Sequence, residues 1–376
     1  MPEAPLAGLK VLELARILAG PWIGQTLADL GADVIKVESP NGDDTRQWGP
    51  PFVEKGDDRS AAYFHACNRG KKSIIADFSK AEDLEKVKAL AADADVLVEN
   101  FKLGGLEKFG LDYSSLSDVN SRLVYCSVTG FGQDGPYAER PGYDLLIQGM
   151  SGVMDITGSP DGPPQKLGVA FVDIFTGLYS VIGIQSALAM RERTGKGQHI
   201  DMSLFDSMVG VLANQNMNYL TTGSTPKRMG NAHPNLTPYQ TFEASDGHII
   251  IASGNDAQYQ RLCGTLDLIE LASDERFVGN AARVKNRKAL TELLEAATKQ
   301  KTRAQLLEEI KAAGVPCGPI NTVGEALDDP QIEHRGMKIE PEGLKGVRTP
   351  IRFSDAELKL ERGSPGLGEH NDLGWD

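Results

Sequence analysis

One aspartate stands at the join of two apolar runs in KLGVAFVDIFTGLYSVIGIQSAL, and its placement opens two chemistries. Ahead of a long apolar helix, Asp173 reads as an ordinary N-cap whose carboxylate accepts the free amides of the first turn. The same carboxylate, stabilised as an ion by the helix N-terminus and aimed out of the edge of a sheet, also suits a nucleophile. The two roles are compatible. Asparagine caps as well as aspartate does, so Asp173→Asn keeps a cap and removes a nucleophile.

Other signatures of chemistry are absent or out of context. The pattern G-x-G-x-x-G occurs at Gly130, Gly132 and Gly135 after a strand-like run, but the chain then enters Pro136-Tyr137 and Pro141-Gly142. A dinucleotide site needs a helix opening within the glycines to receive the pyrophosphate, so the context argues against one. There is no P-loop, no G-x-S-x-G elbow and no H-E-x-x-H helix. The six histidines are scattered, and His65 and His248 flank apolar segments and read as packed side chains. Cys67, Cys126, Cys263 and Cys317 lack the paired spacing of a zinc or redox site and read as reduced structural thiols. No metal and no permanently bound cofactor is expected.

The elements that must position these residues follow from periodicity. LKVLEL (9–14), DVIKV (33–37), SIIADF (73–78), DVLVENF (95–101) and RLVYCSV (122–128) are buried-strand runs, separated by helices that include one opening at Pro21 and one over 80–92. Strands alternating with helices predict an α/β fold with a doubly wound parallel sheet. Ligands in such sheets sit at the carboxyl ends of the strands, which directs attention to 15–20, 100–102 and 129–135. A long helix runs from about Asp173 to Arg193, and TGKGQHIDMSLFD follows as a turn and a strand. The turn-rich TTGSTPKRMGNAHPNLTP marks a boundary. Beyond it, YQTFEASDGHIIIAS reads as two strands joined at Asp246-Gly247, and helices carry a smaller α/β domain to GVPCGPIN.

The chain has 376 residues, 40% hydrophobic and 24% charged, enough for about two domains. Its net charge of -13 disfavours nucleic acid, whose binding depends on basic side chains at phosphates. The acid excess lies beyond residue 75, so a phosphorylated ligand can still be met near the N-terminus. Without a leader-like start or an uninterrupted apolar stretch approaching about 18 residues, a cytoplasmic protein away from membranes is expected.

Several blocks carry a resemblance: GLKVLELARILAGPWIGQTLADLGADVIKVESP, NRGKKSI, VENF, LVYCSVTGFGQDGPYAERPGYD, DGPP, VDIFTGLYSVIGIQSALAMRERTGKGQ and HPNLTPYQTFEASDG. Over roughly 6–255 the chain resembles the family III coenzyme A-transferases of the CaiB/BaiF type, with GVPCGPIN and LGEH as weaker echoes. The resemblance implies an obligate homodimer of interlocked protomers. It implies a large domain over 1–204, a linker at 205–225, a small domain over 226–322, a linker at 323–350, and a C-terminal segment, 351–376, that completes the large domain.

It also implies a mechanism. Asp173 would attack an acyl-CoA thioester to give a mixed anhydride, then an aspartyl-CoA thioester, and an acceptor acid would reverse the sequence. Coenzyme A thioesters are then substrates. Leu18, Ala19, Ala76, Phe78, Asn100, Phe101, Lys102 and Lys108 match CoA-contact positions, the two lysines being equally readable as solvated. Tyr143 and Asp144 match positions beside the reacting thioester. Racemases of the superfamily have a histidine where this chain has Tyr143, so a two-base racemisation loses a partner here. The loop GSTPKRMGNAHPN lacks the glycine run of formyl-CoA:oxalate transferases, and Gly230 and Asn231 there read either as acceptor contacts or as a plain turn. The wording of GYDLLIQGMSGVMDITG looks closest to members that use succinyl-CoA. Arg16 and Arg46 are the candidate cations for a distal carboxylate or a CoA phosphate. An acyl-CoA isomerase or racemase, and a CoA-binding protein without turnover, are the alternatives.

Overall fold

The computed structural model describes residues 3–56 and 58–375. Six strands form one parallel sheet: β1 (Lys10–Glu13), β2 (Asp33–Glu38), β3 (Lys72–Ile75), β4 (Val96–Glu99), β5 (Val124–Thr129) and β6 (Gln198–Ser203). Their spatial order is β3-β2-β1-β4-β5-β6. Register is regular, with Leu12 opposite both Ile35 and Leu97, and Val98 opposite Cys126. The order reverses between β1 and β4, and that reversal opens a crevice at the strand ends.

Alternation along each strand feeds two cores. Val11, Val98 and Cys126 face helix α1 (Ala19–Asp29), where Ile23 and Leu27 are fully buried. Leu12, Ile35, Leu97 and Tyr125 face the other side, against Val87 of α2 (Ala81–Ala92). Both faces are covered, so the strands read as continuous apolar runs rather than half-polar ones. Two further helices complete the site: α3 (Asp144–Ser151) and α4 (Phe171–Thr194). Helix α4 lies close on α1 because residue 177 is glycine; a Cβ there would stand 3.0 Å from the Ala19 carbonyl oxygen and 3.1 Å from Trp22 Cδ1.

The C-terminal segment closes the sheet's exposed edge. Backbone His370 donates to Ser73 O at 2.9 Å, Ser73 N–H donates to His370 Nδ1 at 3.2 Å, and Ile75 N–H donates to Asn371 Oδ1 at 2.7 Å. An edge strand left open would template pairing with another chain.

The chain divides into two compact units, Met1–Val153 with Lys166–Thr222 and Pro330–Asp376, and Met154–Gln165 with Gly223–Asp329. Residues 154–165, expected within the large domain, go with the second unit because Arg228 binds Asp155 and Gly230 N–H donates to Gly158 O. The span 323–350, expected as a linker, contains short helices at Val323–Leu327 and Pro330–His334. In the second unit, β7 (Tyr239–Ala244), β8 (Gly247–Ala252) and β9 (Cys317–Pro319) form an antiparallel sheet. Helices α5 (Asp256–Thr265), α6 (Arg287–Thr298) and α7 (Arg303–Ala312) cover it, burying Phe242, Ile249, Leu262, Leu294 and Ile310. His248 is exposed on β8 opposite Glu243, on the same face as Ile250, whereas Ile249 and Ile251 face the core.

Helix α4 is apolar on average although polar residues interrupt it. An 18-residue window of α4 has mean hydropathy 1.4, which by length and composition is enough to cross a membrane. Scattered Thr, Gly, Ser and Gln break the run in sequence without lowering its mean. One side of α4 buries Val172, Val181 and Ile184 in the core, whereas Leu178, Tyr179, Ile182 and Met190 are exposed.

Candidate active site

The crevice predicted by the strand order exists. At its floor Asn100, just past β4, clasps the loop after β1 in both directions: Arg16 N–H donates to Asn100 Oδ1 at 2.9 Å, and Asn100 Nδ2 donates to Arg16 O at 2.7 Å. A cavity of about 410 Å³ opens there, with Leu18, Ala19, Phe101, Lys102, Tyr143 and Asp173 in its wall. Arg16, Asn100 and Arg140 line it too. The loop bearing Arg140 and Tyr143 reaches the strand end through two glycines. A Cβ on Gly130 would lie 2.6 Å from Gly142 Cα, so two backbones cross where no side chain fits. Gly130, the first glycine of the G-x-G-x-x-G pattern, therefore serves a crossing, and no helix opens within the three glycines.

Asp173 is not the cap of its helix. Helix α4 begins at Phe171 with Ala170 as N-cap and no side-chain cap bond, so Asp173 occupies the third helical position. The capping bond comes from α3: Val172 N–H donates to Asp144 Oδ1 at 3.0 Å. Gln148 Nε2 holds the other oxygen, Asp144 Oδ2, at 2.5 Å, and Gln148 Oε1 accepts from Leu167 N–H at 2.9 Å. The cap reading assumed that the helix begins after Asp173; it begins two residues earlier. No hydrogen bond ties down the Asp173 carboxylate among the described residues. Burial, and then the like charge of Asp144, push Asp173 up to about 7. The helix N-terminus works the other way.

Tyr63 was not singled out by sequence reasoning. Its phenol is pushed up to about 12 by burial and then by the charges of Asp173, Cys67 and Asp144, which places it among the site's carboxylates. Trp48 meets its ring edge-on at 5.3 Å. Nothing in the spacing of YFHACNRG marks that tyrosine; it stands on a short helix, Ala62–His65, that follows a hairpin of Phe52–Lys55 with Asp58–Ala61.

The remaining expected residues separate into groups. Ala76 and Phe78 line a second cavity of about 360 Å³ with Val37, Phe101 and Phe109. Its wall is aromatic: Phe78 stacks with Phe101 at 6.4 Å between ring centres and meets Phe109 edge-on at 5.3 Å. Arg16 and Phe101 line both cavities, so the two adjoin. Lys108 is exposed, with Nζ 4.7 Å from the Phe109 ring centre. Arg16 pairs with Asp44 at 2.8 Å on the surface.

Arg46 departs from expectation. Its Nε and Nη2 grip the Glu38 carboxylate at 2.8 and 2.7 Å, Nη1 donates to Ser60 Oγ and Nη2 to Pro365 O, and the group lies 3.7 Å from the Phe64 ring centre. Only 3% exposed, Arg46 is committed to the fold and lines neither cavity. In the second unit, Gly230 has φ +59° in a turn closed by Ala232 N–H donating to Met229 O at 3.1 Å, and Asn231 Nδ2 donates to Thr241 Oγ1 on β7 at 3.1 Å. His65 is packed as expected: both ring nitrogens lack partners, and burial and then Arg46 favour its neutral form.

Comparison with known proteins gives this geometry its context. The model of CoA-transferase family III matches residues 6–371. The chain is 54% identical to a succinate--glutarate CoA-transferase of Agrobacterium fabrum, over 98% of this chain and 94% of that one. It is 41% identical to a succinyl-CoA:glutarate CoA-transferase of Homo sapiens, over 97% of this chain and 84% of the other. Among solved structures, a CaiB/BaiF family protein from Brucella suis is 67% identical with a TM-score of 0.90, covering 99% of this chain and 98% of that chain. A family match over nearly every residue, on a sheet whose crevice holds an unpaired carboxylate, means that this chain belongs to CoA-transferase family III and is a CoA-transferase.

Proposed function

We propose that the enzyme moves coenzyme A from succinyl-CoA to a small dicarboxylic acid of the glutarate class, with Asp173 as the covalent carrier. The observation that carries this reading is the Asp173 carboxylate: it lines the cavity at the topological switch point, free of hydrogen bonds among the described residues, and raised to about 7. A nucleophile must be unencumbered, and one poised near neutrality is half ionised there.

In this mechanism an Asp173 oxygen attacks the thioester carbonyl, the C–S bond breaks, and CoA leaves as thiolate. The thiolate then attacks the Asp173 carbonyl of the mixed anhydride, releasing succinate and leaving an aspartyl-CoA thioester. The acceptor carboxylate attacks that thioester and thiolate returns to the acceptor's acyl group, regenerating Asp173. Each acyl bond broken is replaced by another, so water must be kept out of the cavity.

The aromatic cavity formed by Phe78, Phe101 and Phe109 suits the adenine end of CoA, and its neighbour suits the pantetheine arm that ends at Asp173. Lys102 and Lys108 are available to phosphates from the loop and helical turn after β4. Arg16, rather than the buried Arg46, is the cation left to meet a carboxylate or a phosphate. The relatives named for succinyl-CoA with glutarate motivate the donor and acceptor.

We further read the working enzyme as an interlocked homodimer in the cytoplasm. The apolar stripe Leu178, Ile182 and Met190 on α4 would be covered by a second copy, and all four cysteines are free thiols.

An acceptor screen tests the reading. With succinyl-CoA as donor and a panel of mono- and dicarboxylates, new thioesters read by mass are expected for glutarate and similar acids. Inactivity with every acid, accompanied by exchange of the α-protons of an acyl-CoA, would instead favour an isomerase.

A further inference from the structure

The loop between β1 and α1 is held in an unfavourable conformation. Ile17 has φ +74°, a left-handed geometry that crowds a branched Cβ against the backbone. Glycine takes this conformation freely; an isoleucine persists there only where its surroundings hold it.

The hold is specific. Ile17 N–H faces both oxygens of the Asp43 carboxylate, at 3.3 and 3.2 Å. Asp43 is itself fixed: it is 1% exposed, accepts from Thr45 N and Thr45 Oγ1 at 3.0 and 2.8 Å, and pairs with Lys36 Nζ at 3.0 Å. Lys36, wholly buried, also binds Glu13 at 3.0 Å and the Ala15 carbonyl at 2.8 Å. A chain of buried ions thus runs from β1 through β2 to the loop. Burial alone would raise the Asp43 carboxyl, but Lys36 and the Thr45 amide outweigh it and keep it below its usual range.

The bend at Ile17 decides what the next residues present. Leu18 is the N-cap of α1 and offers no side-chain cap, and the amides of Leu18 and Ala19 have no acceptor among the described residues. Both residues line the cavity that contains Asp173. Unpaired amides at a helix N-terminus stabilise negative charge that develops in a transition state.

We propose that Asp43 is a positioning residue for the transfer reaction: by holding Ile17 in its left-handed conformation, it sets the Leu18 and Ala19 amides toward the oxygen that becomes negative as Asp173 attacks. This rests on Asp173 being the nucleophile. Asp43 touches no substrate, and its effect passes through the backbone of Ile17.

The test compares wild type, Asp43→Ala, Asp43→Asn, and Asp43→Ala combined with Ile17→Gly, using succinyl-CoA and glutarate. Asp43→Ala is expected to lower kcat about tenfold or more while the KM for succinyl-CoA moves less than about threefold. Glycine needs no holding, so adding Ile17→Gly should return at least about threefold of the lost kcat. Asp43→Asn keeps one acceptor for the Ile17 amide and should lose about threefold; it stands in for the alanine variant, with and without Ile17→Gly, should that variant not fold.

Wild-type kcat in the Asp43 variant, or a loss that Ile17→Gly does not relieve, overturns the proposal. Hydroxylamine trapping with succinyl-CoA separates the two layers. No adduct on Asp173 in the wild type overturns the nucleophile assignment and this proposal with it. An Asp173 adduct that forms equally fast without Asp43 overturns the positioning role alone.

Discussion

Asp144 Oδ1 accepts the amide of Val172 at 3.0 Å, so the cap of α4 is supplied by a different helix, and Asp173 is left without that duty. The same carboxylate that caps the helix also raises Asp173 through its charge. One residue therefore caps α4 and adds to the rise that burial imposes on Asp173.

Asp144→Asn separates these effects. The amide oxygen can still accept from Val172, but the like charge is gone, so the Asp173 carboxyl should fall from about 7 toward its ordinary range. The acid limb of the kcat/KM profile should move to lower pH, by roughly one unit or less because burial remains the larger cause. A profile that moves to higher pH would contradict the proposed coupling.

Asp173→Asn should abolish transfer, by about a thousandfold or more, and leave the fold intact. The stability of the wild type, by contrast, should depend on pH. A carboxyl raised from 3.8 to about 7 in the folded state stabilises the protein fully below pH 3.8, and that contribution is lost as pH rises through about 7. The amide variant carries no such loss. Thermal melts should therefore show the variant gaining on wild type between pH 4 and pH 8, by on the order of a few kcal/mol at most.

Arg46 and Arg16 should part company. Arg46→Ala leaves Glu38 buried without its partner and should cost about 3–5 kcal/mol in denaturant unfolding. Arg16→Ala removes an exposed pair and should cost less than about 1 kcal/mol, while raising the KM of succinyl-CoA or of the acceptor acid. Unchanged KM values in the Arg16 variant would remove it from the substrate site.

The C-terminal strap should loosen in acid. His370 Nδ1 accepts from Ser73 N–H, a bond open only to the neutral ring, and burial followed by nearby cations holds its pKa below 6.5 despite Glu369. Stability from this contact is present above pH 6.5 and is lost as pH falls through the depressed folded value. After correction for intrinsic exchange, hydrogen exchange at Ser73 and Ile75 should speed up several-fold between pH 7.5 and pH 5, and His370→Ala should show that faster exchange already at pH 7.5.

Much of this protein is legible in local chemistry. LKVLEL, DVIKV and DVLVENF are apolar on both faces, which demands a sheet covered on both sides, and connections long enough for helices demand parallel strands. From those two facts follow the crevice at the strand ends and the attention to 15–20 and 100–102, and the fold gathers Leu18, Ala19, Asn100 and Phe101 of those segments there. Asp173 drew attention because a lone carboxylate between two apolar runs must be either satisfied or used.

Which of these applies was decided in three dimensions. Asp173 and Asp144 are both acidic residues near helix starts, and only the packing of α3 against α4 made one the cap and freed the other. Arg46 and Arg16 look alike as cations near the loop, but folding buries one against Glu38 and leaves the other at the crevice. Tyr63 became a neighbour of Asp173 only through a hairpin and a short helix that no periodicity announces. Periodicity specifies which face of an element is buried, because burial repeats with the element. It is silent on which polar groups meet across elements, because a hydrogen bond or an ion pair depends on distances that only the assembled chain creates.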